Sequence, residues 1–286
     1  MKLIKKFISF VISLVVILCI AVVGVFFYVR STYDIDLIDT VSELKKLGEE
    51  VDESEICPNA FSDDNMLDMS AEINKSAENF ITYSEENGYT VNFDGMAAEM
   101  RDVIKLTDKQ VGALAQTVVE QEMDGKVQIA GKEIGLALKQ VAFSDIEDGN
   151  VTFNAVLQLD ITAIKKEMNG FPFNYLKQYV PDYFYVSSTV FAEKGETKFT
   201  YTVAHKALAV NNLSAEETAD LFRTLDLVLN IGSAEELNEL IGNTLFDALV
   251  GSETKNGLAY SMKKIGATDC TFMMYDDIGY FVVTRW

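Results

Sequence analysis

Apolar residues alternate with polar ones along three long stretches of this chain, and in two of them the alternation shifts phase partway. In "IGLALKQVAF", Ile134, Leu136 and Leu138 share one side, and beyond Lys139 and Gln140 the apolar side moves to Val141 and Phe143. In "TFNAVLQLDI", Phe153, Ala155, Leu157, Leu159 and Ile161 stand against Thr152, Asn154, Gln158 and Asp160. "KFTYTVAHKALAV" aligns Phe199, Tyr201 and Val203 before slipping to Leu208 and Val210. A period of two marks half-buried antiparallel strands, because successive side chains point to opposite faces. A phase slip is the trace of a bulge, in which one extra residue bends the strand while its apolar side stays inward. Long bent strands predict a strongly curved antiparallel sheet with one buried face.

Helices are signalled separately. "LTDKQVGALAQTVV" begins with a T-x-x-Q capping box, Thr107 with Gln110, and continues with Val111, Leu114, Ala115, Val118 and Val119 on one face. Asp108, Lys109, Gln116 and Glu120 cover much of the rest, and Gly112, Ala113 and Ala115 leave room for another layer to approach. Two S-x-x-E boxes, Ser214 with Glu217 and Ser233 with Glu236, start two more amphipathic helices. Their apolar faces run through Leu221, Phe222, Leu225, Val228 and Leu229, then Leu237, Leu240, Ile241, Leu245 and Ala248. "ITYSEENGYTVNF" (81–93), with Asn87-Gly88 as its turn, and the closing "CTFMMYDDIGYFVVTRW" predict hairpins. Segregated helices with antiparallel strands give an α+β fold.

The first thirty residues are of another kind. Lys2, Lys5 and Lys6 precede Phe7–Tyr28, an apolar stretch of about 22 residues that reaches about 33 Å as a helix. The stretch is long for a signal peptide, and "VGVFFYVRS" lacks a small-residue cleavage site, so residues 1–30 are expected to form a cytoplasmic tip and an uncleaved transmembrane anchor. Arg30 is followed by Asp34, Asp36 and Asp39, which places the N-terminus in the cytoplasm and residues 31–286 outside the cell membrane. Residues 31–99 read as an acidic helical and hairpin stalk or accessory layer, with a helix over 36–49 and another around 66–79. Residues 100–286 read as the curved-sheet ectodomain.

The chain carries 44 acidic and 24 basic residues, a net charge of −20. Four of the cations (Lys2, Lys5, Lys6, Arg30) lie in the acid-free first thirty residues, so the remainder sits four charges lower, at −24. Such a surface repels nucleic acid and anionic headgroups, which excludes nucleic-acid binding. Cation binding or a basic protein partner is compatible with it. Cys57 and Cys270 are either a disulfide of an oxidising compartment or two buried thiols.

Tests for chemistry find little. The lone histidine, His205, excludes sites that need several imidazoles. His205, Cys270 and Arg285 follow the order of the sortase transpeptidases, a resemblance that implies a thiolate nucleophile, an acid/base and an oxyanion-stabilising guanidinium. "ATDC" departs from the leucine-containing motif of that family, and "VAHK" lacks its glycine. "SETK" (252–255) and "SMKK" (261–264) match S-x-x-K with no K-T-G element beside them. "DIEDGN" reads as a turn between strands. No cofactor is expected. Asn74, Asn150 and Asn212 lie in N-x-S/T sequons.

An anchor, then "LTDKQVGALAQTVV", then bent strands, then "NNLSAEETADLF" leading into two helices, resembles small anchored extracytoplasmic bacterial proteins of the YpmS type. More broadly it resembles the tubular lipid-binding superfamily, over roughly residues 100–286. The resemblance implies a helix lying within a curved sheet, with a lipid or another apolar ligand between them, and no catalytic residues. The groove would be lined by Phe153, Leu157, Leu159, Phe199, Tyr201 and Val203; the same residues serve equally as a closed core. The expected protein is thus a non-enzymatic envelope binder of an apolar ligand. An acidic assembly module contacting another envelope protein is the other reading.

Overall fold

The structure is a computed structural model that describes residues 46–93, 99–123, 125–129, 132–167, 180–229, 233–255 and 257–285. The expected anchor, and most of the helix expected over 36–49, lie outside these residues. Among the described residues no helix is long and apolar enough to cross a membrane.

The fold is α+β, with antiparallel sheets. Strands β4 (Lys126–Ile129), β5 (Lys132–Glu147), β6 (Asn150–Asp160), β7 (Tyr183–Lys194) and β8 (Tyr201–Val210) pair in sequence order as one five-stranded meander. Both phase slips are bulges. On β5 the register steps from Leu138 to Gln140, leaving Lys139 as the extra residue, so Leu136 and Leu138 on one side of it and Val141 and Phe143 on the other all reach the same face. On β8 the step falls at Lys206, which brings Tyr201, Val203 and His205 onto the face shared by Leu208 and Val210. Each bulge bends its strand without turning apolar side chains into water.

Helix α1 (Glu53–Ile56) and α2 (Asp63–Ser76) precede a small hairpin, β1 (Ile81–Ser84) and β2 (Gly88–Val91). Its loop holds Glu85, Glu86 and Asn87, and Gly88 takes the left-handed conformation (φ 64°) that a three-residue loop requires at the first strand position. Then come β3 (Ile104–Thr107), α3 (Asp108–Met123) and, after β6, α4 (Thr162–Glu167). Helices α5 (Ala215–Leu229), α6 (Ala234–Leu249) and α7 (Leu258–Ser261) follow β8. All three predicted capping boxes form: Gln110 Oε1 accepts from Thr107 N at 2.9 Å, Glu217 Oε2 from Ser214 N at 2.9 Å and Glu236 Oε2 from Ser233 N at 3.3 Å.

The closing hairpin joins β9 (Asp269–Tyr275) to β10 (Ile278–Thr284) through Asp276 and Asp277, both at positive φ as a two-residue turn of this twist demands. Its partner was not foreseen. Residues 104–107, read with the helix that follows them, form β3 and pair antiparallel with β10, so a second sheet runs β3-β10-β9. The strands therefore divide between two principal sheets.

One hydrophobic core runs from Leu47, Met69, Ile73 and Phe80 through the inner face of the meander to Phe272 and Phe281. The layer admitted by the small residues of α3 is the leading segment: the Phe61 ring lies on Gly112, where a Cβ would meet Phe61 Cδ1 at 2.6 Å. Gln116, expected on the solvent side, is buried instead, and its Oε1 accepts from Leu138 N at 2.7 Å beside the Lys139 bulge. Helix α6 crosses β7 and β8 at Gly242, where a Cβ would stand 2.8 Å from Val203 Cγ1 and 2.9 Å from Val190 Cγ1. This is the sort of close approach only glycine permits.

Candidate functional site

The six predicted groove residues lie on or beside the inner face, and the structure places other side chains against them. Phe153, Leu157 and Leu159 project inward from β6 and are buried. The Phe153 ring meets Phe143 at 5.6 Å and Phe246 of α6 at 5.3 Å. Tyr201 packs on Phe246 and on Phe272 of β9, both at 5.6 Å. Phe199 lies just ahead of β8, at φ 57°, with its ring 5.7 Å from Tyr260. Val203 faces Gly242. Phe272 is the hub, touching Phe143, Tyr201, Phe246 and Phe281 at centroid separations of 5.1 to 5.9 Å. These edge-on and tilted contacts are the favourable geometries for buried rings.

A crevice lies between α3 and α6. Val111, Leu114, Ala115 and Val118 line one side, Leu245, Ala248 and Leu249 the other, and Phe153 the floor. Its free volume is about 10 Å³, room for about one water. Of the groove predicted from the strands, only Phe153 lines it. The remaining lining comes from helix stripes that were legible as buried faces, with nothing in either stripe to say that the two faces meet. Among the described residues, every side chain lining the crevice is apolar.

The three residues in sortase order are each engaged elsewhere. His205 is half-buried, and its Nδ1 lies 2.8 Å from Nδ2 of Asn238, which also donates to Thr189 O at 2.7 Å. Asn238 Oδ1 accepts from Ser188 Oγ at 2.6 Å, so this amide assigns the acceptor role to His205 Nδ1. Cys270 is fully buried, and burial pushes its thiol up to about 12, far from a thiolate at neutral pH. Arg285 donates to Arg101 O at 3.0 Å and pairs with Glu99. In "SETK", Lys255 Nζ contacts Asp247 at 2.6 Å while Ser252 Oγ lies by Thr254. "DIEDGN" is the β5–β6 turn, as expected.

Cys57 and Cys270 are separate buried thiols on different elements. Cys57 packs with Val156 and Tyr185, from the outward side of β6 and β7, in a small second cluster beyond the main core. Burial raises its thiol to about 11. Beside it, Glu53 Oε2 accepts from Tyr185 Oη at 2.7 Å and Gln158 Nε2 at 3.2 Å, and its Oε1 pairs with Lys139 Nζ at 2.9 Å. Burial opposes ionisation of Glu53, but these three partners outweigh it and hold the carboxyl below its ordinary range. Residues 51–57 therefore strap the outer face of the sheet. At Asn59, whose N–H donates to Gln140 Oε1 at 2.8 Å, the chain reaches β5 beside its bulge before Phe61 packs on α3.

No family model matches this chain, and no curated protein sequence does. The crystal structure of lipopolysaccharide binding protein aligns with 63% of this chain and 40% of that one, at 13% identity and a TM-score of 0.25. The chain thus spans well under half of that protein, and a likeness this weak carries no argument about ligand or activity.

Proposed function

We propose that this protein is a membrane-anchored, extracytoplasmic, non-enzymatic binding protein that takes an acyl chain or comparable apolar group between α3 and α6. The observation that carries this reading is the crevice itself, a seam walled by seven aliphatic side chains and one phenyl ring, with no polar group among them. It lies where a bulged antiparallel sheet meets its covering helices. Pockets for whole ligands run to roughly 300–1,000 Å³, so this reading requires α6 to move away from α3 when a ligand enters. The resemblance to YpmS-type and tubular lipid-binding proteins supports the same reading.

The full chain, extracted in detergent and examined by native mass spectrometry, should carry a lipid-sized adduct that Ala248→Phe removes by filling the seam. A bare mass, together with failure of the stripped protein to rebind a radiolabelled phospholipid, refutes the proposal.

A further inference from the structure

The β9–β10 hairpin ends in an exposed apolar tip that the ligand reading does not use. Met273, Met274, Tyr275 and Ile278 are 40, 51, 61 and 48% exposed, although nothing about a two-residue turn calls for large apolar side chains beside it. The register puts Met273, Tyr275 and Ile278 on one face of the small sheet, contiguous with half-buried Tyr280. Contiguous exposed apolar surface of this sort marks a contact site, and Met and Tyr are typical of adaptable interfaces.

Charge identifies the occupant. The tip turn itself is Asp276-Asp277, both exposed. The end of β5 lies against the same hairpin, since a Cβ on Gly279 would meet Ile146 Cδ1 at 2.7 Å, and Gly149 abuts Thr271. Exposed Asp145, Glu147 and Asp148 therefore stand beside the tip. Among the described residues, the cations accompanying these five carboxylates include Lys105, 5.4 Å over the Tyr275 ring, Lys206, paired with Asp145, and Lys194, whose stem lies against Gly149 and whose Nζ is held by Asp269. Thioether and aromatic surface inside an acidic rim is complementary to a segment that is apolar on one side and cationic on the other, and it opposes insertion among anionic headgroups.

We infer that the Met273–Ile278 hairpin tip is a docking site for a cationic amphipathic helix of a protein partner. Binding rests on the apolar anchors, while the carboxylates select the sign of the partner's charge and make association salt-dependent.

The test uses the full chain in uncharged maltoside micelles and a fluorescent Leu/Lys amphipathic peptide of about 18 residues, five turns of helix. A peptide with Glu at every Lys is the control. Saturable anisotropy binding of the Lys peptide alone is expected. It should weaken roughly tenfold in Met273→Gln/Ile278→Thr, the loss typical of removing interface anchors. It should weaken severalfold in Asp276→Asn/Asp277→Asn, which preserves the left-handed turn because Asn tolerates it. Equal binding of both peptides, unchanged binding by both variants, or no binding overturns the inference. In nanodiscs, a polarity-sensitive dye on Met274→Cys, in a Cys19→Ser background, should shift only on adding the Lys peptide. A shift with lipid alone assigns the tip to the bilayer, and one that grows with protein concentration assigns it to a second copy; either result overturns the proposal.

Discussion

Phe272→Ala is the perturbation that most directly reads the state of the interior. Phe272 is 1% exposed and its ring touches four others, Phe143, Tyr201, Phe246 and Phe281, contributed by β5, β8, α6 and β10. Truncation removes a benzyl group from the point where both principal sheets and α6 meet, and no neighbour is free to collapse into the gap, since each is held by its own element. Phe→Ala at such sites costs about 3–5 kcal/mol. At about 2–4 °C per kcal/mol for a domain of this size, the melting temperature should fall by roughly 6–20 °C. Thermal melts and urea titrations followed by circular dichroism give both quantities, and Phe272→Leu, which refills most of the volume, should recover more than half of the loss. The new cavity is apolar and should stay dry, so benzene should raise the melting temperature of Phe272→Ala and leave the parent unchanged. A loss below about 1 kcal/mol, with no benzene effect, would mean that the ring borders open space. The account of a filled interior would then fail.

Three further outcomes follow from particular contacts. Gly242→Ala forces a methyl to within 2.8–3.1 Å of Val203 and Val190 and should destabilise by about 1–3 kcal/mol in the same melts, with Val203→Ala in the same chain restoring part of it. Gln116→Leu leaves the Leu138 N–H at the bulge without an acceptor, a cost of about 1–3 kcal/mol, and should speed hydrogen exchange at Leu138. Glu53 and Asp269 are both held below the ordinary carboxylate range: burial opposes their ionisation, but Lys139, Tyr185 and Gln158 outweigh it for Glu53, and Lys194 with the N–H groups of Phe199 and Cys270 for Asp269. Because the folded values lie below the unfolded ones, the stability these groups contribute is complete at neutral pH. It is lost as pH falls through roughly 4 and below. Urea midpoints should drop across that window, and Glu53→Gln should flatten the drop; identical slopes for parent and variant would remove Glu53 from the account.

What the sequence revealed and what it hid have physical causes. Both bulges were visible because a half-buried strand must keep its apolar side inward, so one extra residue at Lys139 or Lys206 shows as a slipped phase. Capping boxes were visible because donor and acceptor lie three residues apart on one chain. Strand β3 was invisible because four residues, Ile104–Thr107, adjoin a stronger helix signal and find their partner at Tyr280–Val283. Burial of Gln116 was hidden because a polar side chain on a helix reads as solvated until a distant strand offers an unpaired amide. The seam failed to appear for a related reason: each stripe of α3 and α6 announces that it is covered, and neither says by what. The strands suggested a groove between helix and sheet, whereas Phe246 and Phe272 occupy that space from elements whose arrival no local pattern encodes.

Pairing of Thr107 with Tyr280 also sets a schedule for synthesis. Strand β3 and the helix it leads into are made about 170 residues before the backbone partner of β3. Until then the β3 backbone groups that bond to β10 have only water, and the aromatic hub lacks Phe272 and Phe281. The meander of β4 to β8 joins neighbours in sequence and can assemble as it emerges, but the small sheet closes only after β9 and β10 have followed. A chain interrupted before the β9–β10 hairpin would therefore hold a formed meander over an unsealed apolar face, the condition under which holding chaperones and quality-control proteases engage.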